Sequence, residues 1–177
     1  ETHLWPWAVR AKIGRARFPI LCANVRGPQA GCVETRHPLY RPCALLQAGA
    51  GVRVAVIGLT VPMVTPASAA CRFSRYCFDD PIDTARQWVQ QWRGRADVLV
   101  GLTHLGIDQD RLLAAAVPEL HVIVGGHSHT CLQAPEMVHG VPILHAGCHG
   151  RYVGRAEVTL CDGRIDLRWK LVPLKAA

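Results

Sequence analysis

The sequence has no apolar run long enough to cross a bilayer, which removes a helical membrane span from consideration and, with it, the membrane as a partner. It also has no charged segment leading into an apolar stretch, so no signal peptide is read in it. With Glu1 rather than Met at the start, the compartment stays open between cytoplasmic and periplasmic or secreted. None of its 8 cysteines stands in a Cys-x-x-Cys pair, which excludes thiolate zinc fingers and thioredoxin-like redox motifs. Lysine is scarce, occurring only at Lys12, Lys170 and Lys175, so the net charge of +7 comes mainly from arginines scattered between Arg10 and Arg168. Scattered rather than clustered basic residues argue against nucleic acid as a partner. A basic surface instead favours small anionic ligands, phosphorylated ones included, through long-range attraction.

What is present is an ordinary globular composition: 177 residues, 50% hydrophobic and 19% charged, enough for one domain with a sizeable core. Its organising stretch runs from Asp97 to Thr130. Asp97 to Thr103 is a short apolar run of buried-strand type ending at His104, and His121 to Val124 is a second, ending at Gly125-Gly126-His127-Ser128-His129. Between them Asp108 to Ala116 is rich in helix formers after an acidic start. A strand–helix–strand unit makes two parallel strands joined by a right-handed crossover, so both carboxyl ends share one sheet edge. His104 and His127 are therefore expected in one crevice, with His129 within reach of a neighbouring point. Imidazole binds zinc, manganese or iron, and Gly125 and Gly126 allow the close backbone approach such a site needs.

Along the rest of the chain, Pro6 to Arg17 reads as a helix and Phe18 to Val25 as a buried strand. Residues 27–51 read as loops with one short strand near Tyr40 to Leu46, and Val52 to Thr60 as a strand followed by a long connection to Phe78. Asp79-Asp80-Pro81 opens a helix with Ile82, Ala85, Val89 and Trp92 at helical spacing, leaving Arg86, Gln87, Gln90 and Gln91 to solvent. Trp88 and Trp92 read as packing. Val141 to Ala146 is a further strand. Ala156, Val158 and Leu160 then alternate on one arm, and Ile165, Leu167 and Trp169 on another, either side of an Asp162-Gly163 hairpin turn.

Several of these blocks together, Leu102-Thr103-His104-Leu105-Gly106, Val124-Gly125-Gly126-His127-Ser128-His129-Thr130, Val141-Pro142-Ile143-Leu144 with Ala146-Gly147, and Gly150 to Arg155, resemble the second half of a calcineurin-like metallophosphoesterase domain of the 5′-nucleotidase branch. The resemblance implies an α/β fold, the C-terminal part of a four-layer α/β/β/α sandwich, with residues 1–177 as a single partial domain whose N-terminal metal-binding half lies elsewhere. Glu1-Thr2-His3 fits the end of that family's Gly-Asn-His-Glu block, with His3 where an aspartate is common. The family's earlier ligands, an Asp-x-His, a bridging aspartate and an asparagine, have no match. The implied cofactors are two divalent ions, Mn, Zn or Fe, with His104 and His127 on one and His129 on the other. The implied reaction is attack of activated water on a phosphate ester of a small molecule, such as a nucleotide. Acid–base and substrate-binding residues are not assigned.

Alternatives from other classes are a non-catalytic interaction domain that keeps the sandwich, and a related hydrolase of phosphodiesters, nucleotide sugars or sulfur esters. Among secondary candidates, His145 and His149 read as structural or substrate-side, and Asn24 and Arg151 stand equally well as groups approaching a phosphate or as turn or sheet-edge hydrogen-bonding residues. Cys22 and Cys161 read as small core hydrophobes, while Cys71 and Cys77 share a loop and are candidates for pairing in an oxidising compartment.

Overall fold

A computed structural model describes residues 11, 13–26, 40–63, 77–161 and 164–174. Its main sheet contains six strands. They are β2 (Cys43–Gln47), β3 (Arg53–Thr60), β5 (Val98–His104), β6 (Val122–Gly125), β7 (Glu136–Val138) and β8 (Val141–His145), in the order β2-β3-β5-β6-β8-β7. The four central strands β3, β5, β6 and β8 run parallel, and β2 and β7 pair antiparallel at the edges. Two smaller sheets accompany it: β1 (Val25–Arg26) with β4 (Cys77–Phe78), and β9 (Tyr152–Cys161) with β10 (Arg164–Pro173). Helix α1 (Pro81–Trp92) packs on β3 and β5, and α2 (Ile107–Ala116) on β6 and β8.

The apolar runs become parallel strands because they are apolar at nearly every position and bounded by breakers, with the crossover helix able to bury one face. Leu99, Ile57 and Ile123 of the sheet interlock with Ala85, Trp88 and Val89 of α1 and with Leu113 and Ala114 of α2 in one core. The start of α1 is fixed by the Asp80 carboxylate, which accepts the N–H groups of Ile82 (2.8 Å) and Asp83 (2.9 Å), with Pro81 preset for the first turn. Its exposed face carries Arg86, Gln87, Gln90 and Gln91, as the spacing requires. On the sheet's other face, the register partners Leu102 and Val124 remain 43% and 38% exposed.

Two expectations are revised. The run from Phe18 to Val25 does not join the main sheet as a long strand; it crosses the backbone of β3, with Ala23 N–H donating to the Gly58 carbonyl at 2.7 Å. The crossing demands glycine at 58, because a Cβ there would lie 2.5 Å from the Leu21 backbone. Cys161 is exposed on the hairpin rather than a core residue, whereas Cys22 is half-buried and burial pushes its thiol up to about 12. Of the helix expected from Pro6 to Arg17, residues 11 and 13–17 are described, and 11 and 13–15 are helical. Cys71, the suggested partner of Cys77, lies outside the described residues.

The hairpin follows the alternation read from sequence, with Leu160 opposite Ile165, Val158 opposite Leu167 and Ala156 opposite Trp169. Trp169 lies across Gly154, where a Cβ would sit 2.1 Å from the indole, and its N–H donates to the Leu132 carbonyl at 2.8 Å. That bond ties the hairpin to the loop after β6.

Asn24 is fully buried and acts as a staple between segments. Its amide NH2 donates to the carbonyls of Thr60 (2.8 Å) and Asp79 (3.2 Å), while its oxygen accepts the Thr60 N–H at 3.0 Å. A phosphate-side role is thereby excluded by burial. Asn24→Ala is expected to destabilise the fold by about 2–3 kcal/mol in chemical denaturation, since it removes the partner of the Thr60 N–H and of the Thr60 and Asp79 carbonyls; an unchanged midpoint would contradict the staple.

Candidate metal centre

Every parallel strand ends on the same edge of the sheet, which places Thr60, His104, Gly125 and His145 side by side along it. His104 is the last residue of β5, and His127 stands two residues beyond the end of β6, where its ring meets that of His104. Their Nε2 and Nδ1 atoms stand 3.3 Å apart, with the rings edge-on at 4.9 Å. Two nitrogens bound to one tetrahedral ion at about 2.0–2.1 Å each are separated by roughly 3.3–3.4 Å, so the pair is already spaced as ligands. Burial, then the neighbouring His127 and His129, lower the pKa of His104, which favours the neutral imidazole a metal requires.

The loop carrying His127 and His129 is held in an unusual backbone. His127 (φ 83) and His129 (φ 58) both adopt the left-handed region, uncommon for residues with a Cβ and concentrated at functional sites. Gly106 is suited to the start of α2 by its left-handed φ of 89, which a residue with a Cβ rarely adopts, and it lies in van der Waals range of the His127 ring and Ser128. Gly106 has no side chain to cap the helix, and Ser128 substitutes for one: its Oγ accepts the Ile107 N–H at 3.1 Å and lies 2.9 Å from the Thr130 hydroxyl. Thus α2 and the histidine loop brace each other.

His129 turns elsewhere. Its ring meets that of His149 edge-on, centroids 5.3 Å apart, and not those of His104 and His127. Among the described residues, one group of three metal-capable side chains has ligand atoms all within 4.8 Å of one another: His129, Cys148 and His149. No Asp or Glu among the described residues forms such a group with the histidines.

Beneath the loop lies a pair that the sequence does not announce. Asp110, on the first turn of α2, is 0% exposed, and its Oδ2 lies 2.7 Å from Nε2 of His145, itself 1% exposed. The pair abuts the strand that launches the loop: a Cβ on Gly125 would meet both atoms at 2.2 Å. His145 is structural, in keeping with one of the two roles its sequence context allows. His121 is structural too, its Nδ1 accepting the Leu99 N–H at 3.1 Å, and burial lowers its pKa. A cleft of about 640 Å³ lined by Leu99, His121 and His139 lies at the opposite, amino-terminal ends of β5 and β6, away from this edge.

No protein-family model matches the chain. Among curated proteins it is 30% identical to the uncharacterized metallophosphoesterase YunD of Bacillus subtilis, over 82% of this chain and 30% of that protein. It is 27% identical to a 5′-nucleotidase of Vibrio cholerae, over 90% of this chain and 34% of that protein. Among solved structures, a 5′-nucleotidase precursor of Thermus thermophilus superposes with a TM-score of 0.75 at 29% identity, covering 92% of this chain and 35% of that one. The chain spans about a third of the length of these proteins.

Proposed function

We propose that this chain, a relative of the metallophosphoesterases of 5′-nucleotidase type, supplies the imidazole ligands of a metal-dependent phosphoester hydrolase. The observation that carries the reading is the 3.3 Å spacing of His104 and His127 at the ends of adjacent parallel strands. In this reading His104 and His127 hold one divalent ion and His129 contributes to a second. Such ions, when bound, polarise a phosphoryl oxygen and make water acidic enough to attack it at neutral pH.

The protein's own part is positioning. The α2–Ser128 brace fixes the loop, partial desolvation lowers the pKa of His104, and the left-handed backbone at His127 and His129 aims successive histidines to different sides. The amino-terminal end of α2, packed against the loop, adds partial positive charge that favours a phosphate. Mixed imidazole and carboxylate ligation suits Mn, Zn or Fe. The carboxylates are assigned to the other half of the domain, since none among the described residues joins the histidines. The substrate class is a phosphorylated small molecule of nucleotide type, in line with the names of the relatives.

Isothermal titration of the full-length protein with Mn²⁺ and Zn²⁺ tests this. Saturable binding, together with hydrolysis of nucleoside monophosphates only in the metal-loaded form, is the expected result. A well-folded sample that binds neither ion would instead support a binding domain that has kept the fold without the chemistry, a reading motivated by the described residues, none of whose carboxylates groups with the histidines.

A further inference from the structure

We propose that His129, Cys148 and His149 form a mixed thiolate–imidazole site for zinc or a similarly soft divalent ion. The site does not depend on the hydrolase reading, because all three ligands belong to this chain and none is His104 or His127. Their ligand atoms lie within 4.8 Å of one another. Tetrahedral zinc, with bonds of about 2.0–2.1 Å to nitrogen and 2.3 Å to sulfur, needs them roughly 3.3–3.8 Å apart. Closing that gap takes small rotations of two exposed imidazoles around a half-buried thiol.

The convergence is built by the backbone. After His129, the chain pairs antiparallel with the segment that follows β8: Leu132 N–H donates to the His145 carbonyl at 3.0 Å, and Gly147 N–H to the Thr130 carbonyl at 2.9 Å. These two bonds bracket the Cys131–Ala146 bridge and bring His129 to the level of Cys148 and His149. The Trp169 bond to the Leu132 carbonyl buttresses the same segment from the hairpin. His149 then adopts the same left-handed φ of 58 as His129, with its ring turned toward it.

The donor set decides the ion. A thiolate with two imidazoles prefers zinc over manganese or magnesium, which favour oxygen ligands, and three protein ligands leave a fourth position open. Because His129 also serves the proposed two-ion centre, zinc bound here draws on a ligand of that centre. The consequence is a competition between a thiolate-bound zinc and the second hydrolytic ion.

Cobalt(II) titration of the full-length protein provides the test, since cobalt replaces zinc in such sites and reports sulfur ligation by a near-ultraviolet charge-transfer band. The wild-type protein is expected to develop this band, with visible absorption of tetrahedral intensity, and to lose both on addition of zinc. Cys148→Ser should abolish the charge-transfer band, and His149→Ala should weaken cobalt binding at least about tenfold, since even loss of a group that only orients a ligand costs that much. His127→Ala should retain the band. A wild-type protein without the band, or a band that survives Cys148→Ser, overturns the proposal. Either result leaves the hydrolase reading standing, because that reading is decided by activity and by His127.

Discussion

His127→Ala in the full-length protein is expected to lower metal-dependent kcat/KM on a nucleoside monophosphate by roughly a thousandfold, about 4 kcal/mol of transition-state stabilisation. The size follows from geometry. His127 is one of two imidazoles whose nitrogens stand 3.3 Å apart, and its removal leaves His104 a single weak ligand from this edge of the sheet. Excess metal should not rescue the variant, because the deficit is in the ion's position as well as its occupancy. His139→Ala serves as the control. His139 shares the left-handed backbone (φ 49), but it sits in the tight turn between β7 and β8, exposed and beside the cleft at the far end of the strands. Its loss should leave turnover within about twofold of the wild type. Near-normal turnover of His127→Ala at saturating metal would sink the ligand assignment.

The parts of this site that local pattern encodes are legible in the amino-acid sequence. The two apolar runs with a helix between them become the parallel pair β5 and β6, with Val100 opposite Val122 and Leu102 opposite Val124, so their terminal histidines meet. Helix α1 starts at its Asp80 cap and Pro81, and the hairpin keeps the register of its alternating arms. These features depend on residues close in sequence, and so composition and spacing carry them.

Features that depend on distant partners are not legible in this way. Asp110 looks in sequence like a carboxylate favouring a helix start, yet it is buried, because its partner His145 lies 35 residues away. The Phe18 to Val25 run has the composition of a strand. Its path is set instead by the close crossing at Gly58 and by the amide of Asn24, neither visible as a local signal. Nothing near His149 in the sequence signals that it faces His129, since the Gly147 and Leu132 backbone bonds that align them join segments on either side of β7 and β8. Glycines offer the one usable hint. Gly125 stands where any Cβ would press on the buried pair, and Gly106 where the backbone takes a left-handed φ of 89.

Asp110→Ala is expected to cost about 3–5 kcal/mol in urea denaturation, the range for breaking a buried pair by removing one partner. The carboxylate is 0% exposed, the His145 ring it meets is 1% exposed, and no solvent reaches the site to replace the lost contact at 2.7 Å. Asp110 Oδ1 has no hydrogen-bond partner among the described residues, so the pair is held by one strong contact rather than a network. His145→Ala should cost a similar amount, and the double variant much less than the sum, because both singles remove the same interaction. Asp110→Asn, which keeps size and one hydrogen bond, should fall between the wild type and Asp110→Ala. The effect should also reach the metal edge. The pair presses on Gly125 at the root of the histidine loop, so those variants that still fold should bind divalent ions more weakly than the wild type although neither residue is assigned as a ligand. Single and double variants that all unfold within about 1 kcal/mol of the wild type would show that helix α2 and strand β8 are held together by their apolar contacts alone.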